Sequence, residues 1–78
     1  MEYNPVIMGK IIRKLRNEKG LSQDVLSGLA GIGRSHLTMI ETGKKKANVE
    51  TLWRVADALD LPLSHLFRLL EDEMARKG

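Results

Sequence analysis

The segment GIGRSHLTMIETGKKK, residues 31–46, gathers a guanidinium, an imidazole, three hydroxyls and a thioether within nine positions, and three lysines follow directly. These groups donate and accept hydrogen bonds and carry positive charge. They are poorly suited to making or breaking bonds. His36 and His65 lie far apart in sequence with no cysteine anywhere in the chain, so no metal-ligand spacing exists. No Ser/His/Asp arrangement or paired carboxylates are evident. Gly28, Gly31 and Gly33 do not follow the order of a nucleotide-binding loop. The expectation is a binding protein without catalytic site, metal, cofactor or small-molecule ligand.

Placed on a helix at about 100° per residue, the segment separates into two edges. With Leu37 as the inward reference, Ile40 and Glu41 fall within about 60° of it, whereas Ser35, Thr38, Met39 and Thr42 point the other way. Arg34 flanks that outer edge in the first turn. The outer set suits the major groove of a DNA duplex. Arginine donates two parallel bonds to guanine O6 and N7, hydroxyls meet several base edges, and the apolar parts of Thr38 and Met39 can touch a thymine methyl. Arg34, Ser35, Thr38 and Met39 are therefore the candidate base readers. Glu41 is different: an inward carboxylate is expensive unless a cation meets it.

Such an edge needs elements that hold it. Apolar residues recur at helical spacing throughout, alternating β-type segments are absent, and the only prolines are Pro5 and Pro62. A first helix follows Pro5 with Met8, Ile11, Ile12 and Leu15 inside, and stops at Gly20. A second starts at the N-cap Ser22, with Val25, Leu26, Leu29 and Ala30 as its inner face, and ends at Gly31. A tight GIG turn leads to a third, from about Gly33 to Thr42. Asn48 caps a fourth whose Val49, Leu52, Val55, Ala56 and Leu59 lie on one side. A fifth begins near Ser64 with a stripe of Leu66, Phe67, Leu70 and Met74, and spans about 64–75. Fraying is expected at residues 1–4 and 75–78. The fold class is all-α, a bundle of five short helices in one domain over residues 1–78, with its core at about 6–67. Helices 2 and 3 form a helix-turn-helix.

The formal charge is +3 over 78 residues, but it is unevenly spread. Residues 1–46 hold nine Lys/Arg against four Asp/Glu, and residues 47–78 hold four against six. A basic half joined to an acidic half suggests one face that meets a polyanion. No signal peptide or membrane-length apolar run is present, so a cytoplasmic protein associated with the nucleoid is expected.

The stretch from Ile11 to Phe67, through "IRKLR", "GLSQ", the "L…AGIGRS" turn, "IETGKK", "ETL" and "VADALDLPLSHLF", resembles the Xre/lambda-repressor-like helix-turn-helix family. The resemblance implies a dimer on operator DNA, with the helix after the turn in the major groove. It implies that Gln23 meets a phosphate and braces that helix, and that Thr42, Lys44 and Lys45 follow the DNA backbone. The location of the lysine triplet gives Lys46 a phosphate role as well, and His36, without metal-ligand companions, meets a phosphate or solvent. The resemblance also implies that Arg16 is the cation that pairs with Glu41, a structural ion pair that orients the third helix. Departures from the pattern are Ser27, where a small alanine is usual and where the hydroxyl requires a backbone acceptor, Ala47 in place of a frequent proline, and Met39 in place of a longer polar reader.

Leu66, Leu69, Leu70 and Met74 make more apolar surface than a small monomer needs; the alternative is that Leu66, Phe67 and Leu70 simply close the core. With Trp53 the first four are the candidate homodimer interface, although Trp53 could equally cover the segment around Tyr3, Pro5 and Val6. The sequence thus points to a transcriptional regulator that binds a pseudo-palindromic double-stranded operator as a homodimer. Its small size fits a phage-type repressor, a restriction–modification controller or an antitoxin. The alternative is a helical protein-interaction module, such as an antitoxin in which DNA binding is secondary.

Overall fold

A computed structural model describes residues 2–77, and all regular structure among them is helical: α1 (Pro5–Glu18), α2 (Gln23–Ala30), α3 (Arg34–Glu41), α4 (Val49–Ala58) and α5 (Leu63–Lys77). Three of the starts, those of α1, α2 and α4, have a side-chain cap. Asn4 accepts bonds from the backbone N–H groups of Val6 and Ile7 at 3.0 and 3.1 Å, and Pro5 occupies the first helical position, where no N–H is needed. Asn4 is thus tied to α1 as its cap; Met1 and Gly78 lie outside the described residues. Ser22 caps α2 through the Val25 N–H, and Asn48 caps α4 through the Thr51 N–H at 2.8 Å. Replacing Asn48 with alanine should lower the unfolding free energy by about 1 kcal/mol, measurable by urea titration.

The helix ends share one hydrogen-bonding device. The N–H groups of Gly20 and Leu21 return to the carbonyls of Asn17 and Arg16, and those of Gly31 and Ile32 to Gly28 and Ser27. Gly31, at φ +69°, needs the left-handed conformation that reverses the chain between α2 and α3. At the end of α4 the same turn is made by Asp60 with φ +60°, a non-glycine in that region.

Met8, Ile12, Leu26, Leu37, Val55, Leu59 and Leu66 are fully buried and draw all five helices onto one core. Burial departs from the expected inner faces in α2 and α4. Val25 and Leu29 are 48% and 63% exposed, and Val49 is 62% exposed. The buried set in α2 is Leu26, Ser27 and Ala30. Ser27 takes the place of a core residue because its hydroxyl donates to the Asp24 carbonyl at 3.1 Å, which satisfies it within its own helix. Val49 sits in the first position after its cap, at an end that no other helix covers.

Leu66 and Leu70 are 0% and 4% exposed. They hold α5 to its own core and are not surface residues, which corrects their place in the expected dimer interface. No described helix is long and apolar enough to cross a membrane.

Candidate nucleic-acid interface

α3 is held along one edge from three directions. Leu37 and Ile40 are buried in the core. At its C-terminal end α1 crosses close by: Gly9 is buried where an added Cβ would run into the backbone carbonyl oxygens of Ile40 and Glu41, and Val6 packs on Gly43 so tightly that a Cβ there would lie 2.7 Å from the Val6 Cα. Gly43 also needs its φ of +76° to close α3. Two side-chain-free positions thus allow α1 to lie directly on the end of α3.

The third direction is electrostatic. Arg16 of α1 donates from Nε to Glu41 Oε2 at 2.7 Å and from Nη2 to Oε1 at 3.0 Å, and their side chains are only 10% and 2% exposed. Its remaining terminal nitrogen, Nη1, donates to the Leu21 carbonyl at 2.9 Å, which ties α1 to the start of the helix-turn-helix. The hydrogen bonding to Glu41 raises the guanidinium pKa above its ordinary value, against the lowering by desolvation. The bidentate geometry explains why an ion pair is tolerable in a core this small.

Gln23, the first residue of α2, extends this cluster outward. Its Nε2 donates to Glu41 Oε1 at 3.0 Å, and its Oε1 accepts from the Thr38 hydroxyl at 3.1 Å. A chain of contacts therefore runs from Arg16 through Glu41 and Gln23 to Thr38, from the core to the outer edge of α3. The Thr38 hydroxyl also lies 3.1 Å from the Arg34 carbonyl, and the Thr42 hydroxyl is 2.9 Å from the Thr38 carbonyl. Both threonine hydroxyls thus have acceptors within the protein, Thr38 on Gln23 and Arg34 and Thr42 on its own helix.

Arg34, Ser35, Thr38 and Met39 are all exposed, and His36 is half-buried. Thr42 caps the end of α3, and Lys44, Lys45 and Lys46 are exposed directly after Gly43. The N–H groups of Lys44 and Lys45 both bond the Met39 carbonyl, at 3.0 and 3.2 Å, so the basic loop is anchored to the helix it follows. The structure brings Gln23, the outer edge of α3 and the lysine loop together. It separates the remaining surface candidates. Leu69 lines a groove between α1 and α5 with Ile7, Ile11 and Leu15. Met74 lies beside Tyr3 and Phe67. Trp53, 62% exposed, borders a depression made with Leu61, Leu63 and Phe67 and does not cover the N-terminal segment.

Sequence reasoning missed Gly9 and Asp24. Gly9 carried only the weak signal of a lone glycine inside a helical pattern, one it shares with Gly28, which has open space around it. Asp24 carried no signal beyond a favourable helix N-terminus, yet its Oδ1 lies 3.5 Å from Arg34 Nε.

A helix-turn-helix family model, HTH_3, matches residues 12–66. Control protein C.MunI of Mycoplasma is 33% identical over 66 residues, 83% of this chain and 89% of that one. The crystal structure of the restriction–modification controller protein C.AhdI from Aeromonas hydrophila superposes with a TM-score of 0.77 at 35% identity, covering 80% of this chain and 94% of that one. The controller protein C.Esp1396I, at 21% identity, shares the fold with a TM-score of 0.86 over 97% and 99% of the two chains. With the turn between α2 and α3, the anchored α3 and these relatives in agreement, the chain belongs to the HTH_3 helix-turn-helix family, an Xre-like group of DNA-binding transcriptional regulators.

Proposed function

We propose that this regulator binds a pseudo-palindromic operator as a homodimer, with α3 of each protomer in the major groove. The observation that carries the reading is the division of α3 into a buried edge, Leu37, Ile40 and Glu41, and an exposed edge of Arg34, Ser35, Thr38 and Met39 beside three exposed lysines. Arg34 and Ser35 stand at the helix N-terminus, which enters the groove most deeply in this class of motif. With the Thr38 hydroxyl bonded within the protein, its methyl and that of Met39 supply apolar contacts of the kind a thymine methyl accepts. Gln23, His36, Thr42, Lys44, Lys45 and Lys46 are assigned to the phosphate backbone, which positions the protein without choosing sequence.

The homodimer is assigned to the surface around Trp53, extended by Phe67 and Met74, with Leu69 at the more distant α1–α5 groove. Two recognition helices about 34 Å apart then read two half-sites. Likeness to C.AhdI, named as a restriction–modification controller, and to the control protein C.MunI supports that role among the small regulators of this type.

The test is a gel shift on duplexes selected by the purified protein. Arg34→Ala should cost about 1–3 kcal/mol on the selected site and relax the choice at one base pair. Lys45→Ala should weaken all sequences alike and flatten the salt dependence by about 0.9 in the log–log slope. The double variant, still folded by circular dichroism, should no longer be retained by DNA. Unchanged retention would favour a helical interaction module acting through the exposed Trp53 surface.

A further inference from the structure

Among the described residues of α3 and of the first turn of α2, Asp24 is the one exposed acidic side chain, set in a surface whose other charged groups are Arg34 and the lysines after α3. A carboxylate there repels phosphates, so its presence lowers affinity for every DNA sequence. Its place near the N-terminus of α2 accounts for a small contribution to helix stability. That leaves unexplained why it meets the Nε of Arg34, at 3.5 Å.

We propose that Asp24 is a positioning residue for Arg34 and sets how strictly Arg34 selects its base; the inference rests on the base-reading role given to Arg34 above. A guanidinium can offer two parallel donors from more than one edge. With Nε facing the Asp24 carboxylate at an ion-pair distance of 3.5 Å, the two terminal nitrogens are the pair left for guanine, and they match the spacing of O6 and N7. The side chains of Arg34 and Asp24 are 65% and 69% exposed, so in water the pair contributes little to stability. When a duplex covers the surface and excludes water, the same attraction strengthens. Asp24 therefore gives up general affinity for DNA and sharpens sequence choice.

The test uses the full chain and a duplex selected by the wild-type protein, with dissociation constants measured for all four base pairs at each position. Wild type, Asp24→Asn, Arg34→Ala and the double variant are compared. The position at which Arg34→Ala loses its preference identifies the base pair read by Arg34. There, Asp24→Asn should reduce the preference for guanine by about 5- to 10-fold, within the range a bidentate contact supplies. It should also raise affinity for random duplex. In the double variant Asp24→Asn should change no preference beyond that lost with Arg34→Ala.

If Arg34→Ala retains every preference, the base-reading role of Arg34 fails and this inference falls with it. If Arg34→Ala loses a preference that Asp24→Asn keeps, base reading by Arg34 stands and the positioning role is overturned. A further change of preference in the double variant would mean that Asp24 reads a base itself, which also overturns it. Thermal melting of each variant separates these outcomes from a loss of fold.

Discussion

Glu41→Ala is expected to lower the unfolding free energy by about 3–5 kcal/mol, the cost of leaving one member of a buried ion pair without its partner. For a chain this short that corresponds to a melting temperature lower by roughly 15–30 °C. The stranded group is the Arg16 guanidinium, whose Nε and Nη2 both lose their acceptor while Nη1 keeps the Leu21 carbonyl. Arg16→Ala should cost a similar amount by stranding the carboxylate, with Gln23 Nε2 as its remaining donor. Replacing both by apolar residues of similar volume should be less damaging than either single change, because no uncompensated charge remains in the core. Thermal unfolding by circular dichroism of the two single variants and the double decides the matter. Single variants within 1 kcal/mol of wild type would show that the pair does not hold α3.

Gly9→Ala should destabilise the protein by at least the roughly 1–3 kcal/mol typical of overpacking. The added methyl collides with the Ile40 carbonyl oxygen and lies 2.6 Å from that of Glu41. Both obstacles are backbone, so no side-chain rotation relieves them and α1 must move off the end of α3. That movement would also pull Arg16 away from Glu41, so the two effects should be coupled instead of additive. Gly28→Ala is the control of opposite sign. Gly28 lies inside α2 with nothing within 4 Å of an added Cβ. There the methyl should stabilise by about 0.5–1 kcal/mol through helix propensity alone. If Gly9→Ala unfolds like wild type in urea, the close crossing of α1 over α3 is not part of the native fold.

These expectations show how recognition surface and core depend on each other. Arg16, Glu41 and Gln23 link the packing of α1 to the position of Thr38 on the outer edge. A change that loosens the crossing of α1 over α3 should therefore alter DNA choice as well as stability.

Much of the architecture was legible in the chain because it is specified locally. Ser22 and Asn48 cap helices through their own next turn, and Gly20, Gly31 and Gly43 reverse the chain where the left-handed conformation is required. These signals act over four or five residues and need no partner. The outward direction of Ser35, Thr38 and Met39 followed from helical periodicity once Leu37 was taken as buried. Glu41 declared itself by being a carboxylate on the wrong side, although its partner came from family resemblance and not from spacing.

What the tertiary structure decided are the matters that depend on a second segment. Leu29 and Leu37 are the same residue type on neighbouring helices, yet one is 63% exposed and the other fully buried, because another element covers only one of those faces. Leu66 and Leu70 serve the core while Leu69, about 60° from the one and about 100° from the other around α5, lines a groove at the margin of the buried stripe, where the covering element decides its burial. The contact of Asp24 with Arg34 and the approach of Gly9 to Ile40 join residues 10 and 31 positions apart. A sequence states which surfaces are apolar or charged and how the nearby backbone turns. Which of those surfaces meet is set when the whole chain minimises exposed apolar area and pairs its buried polar groups at once.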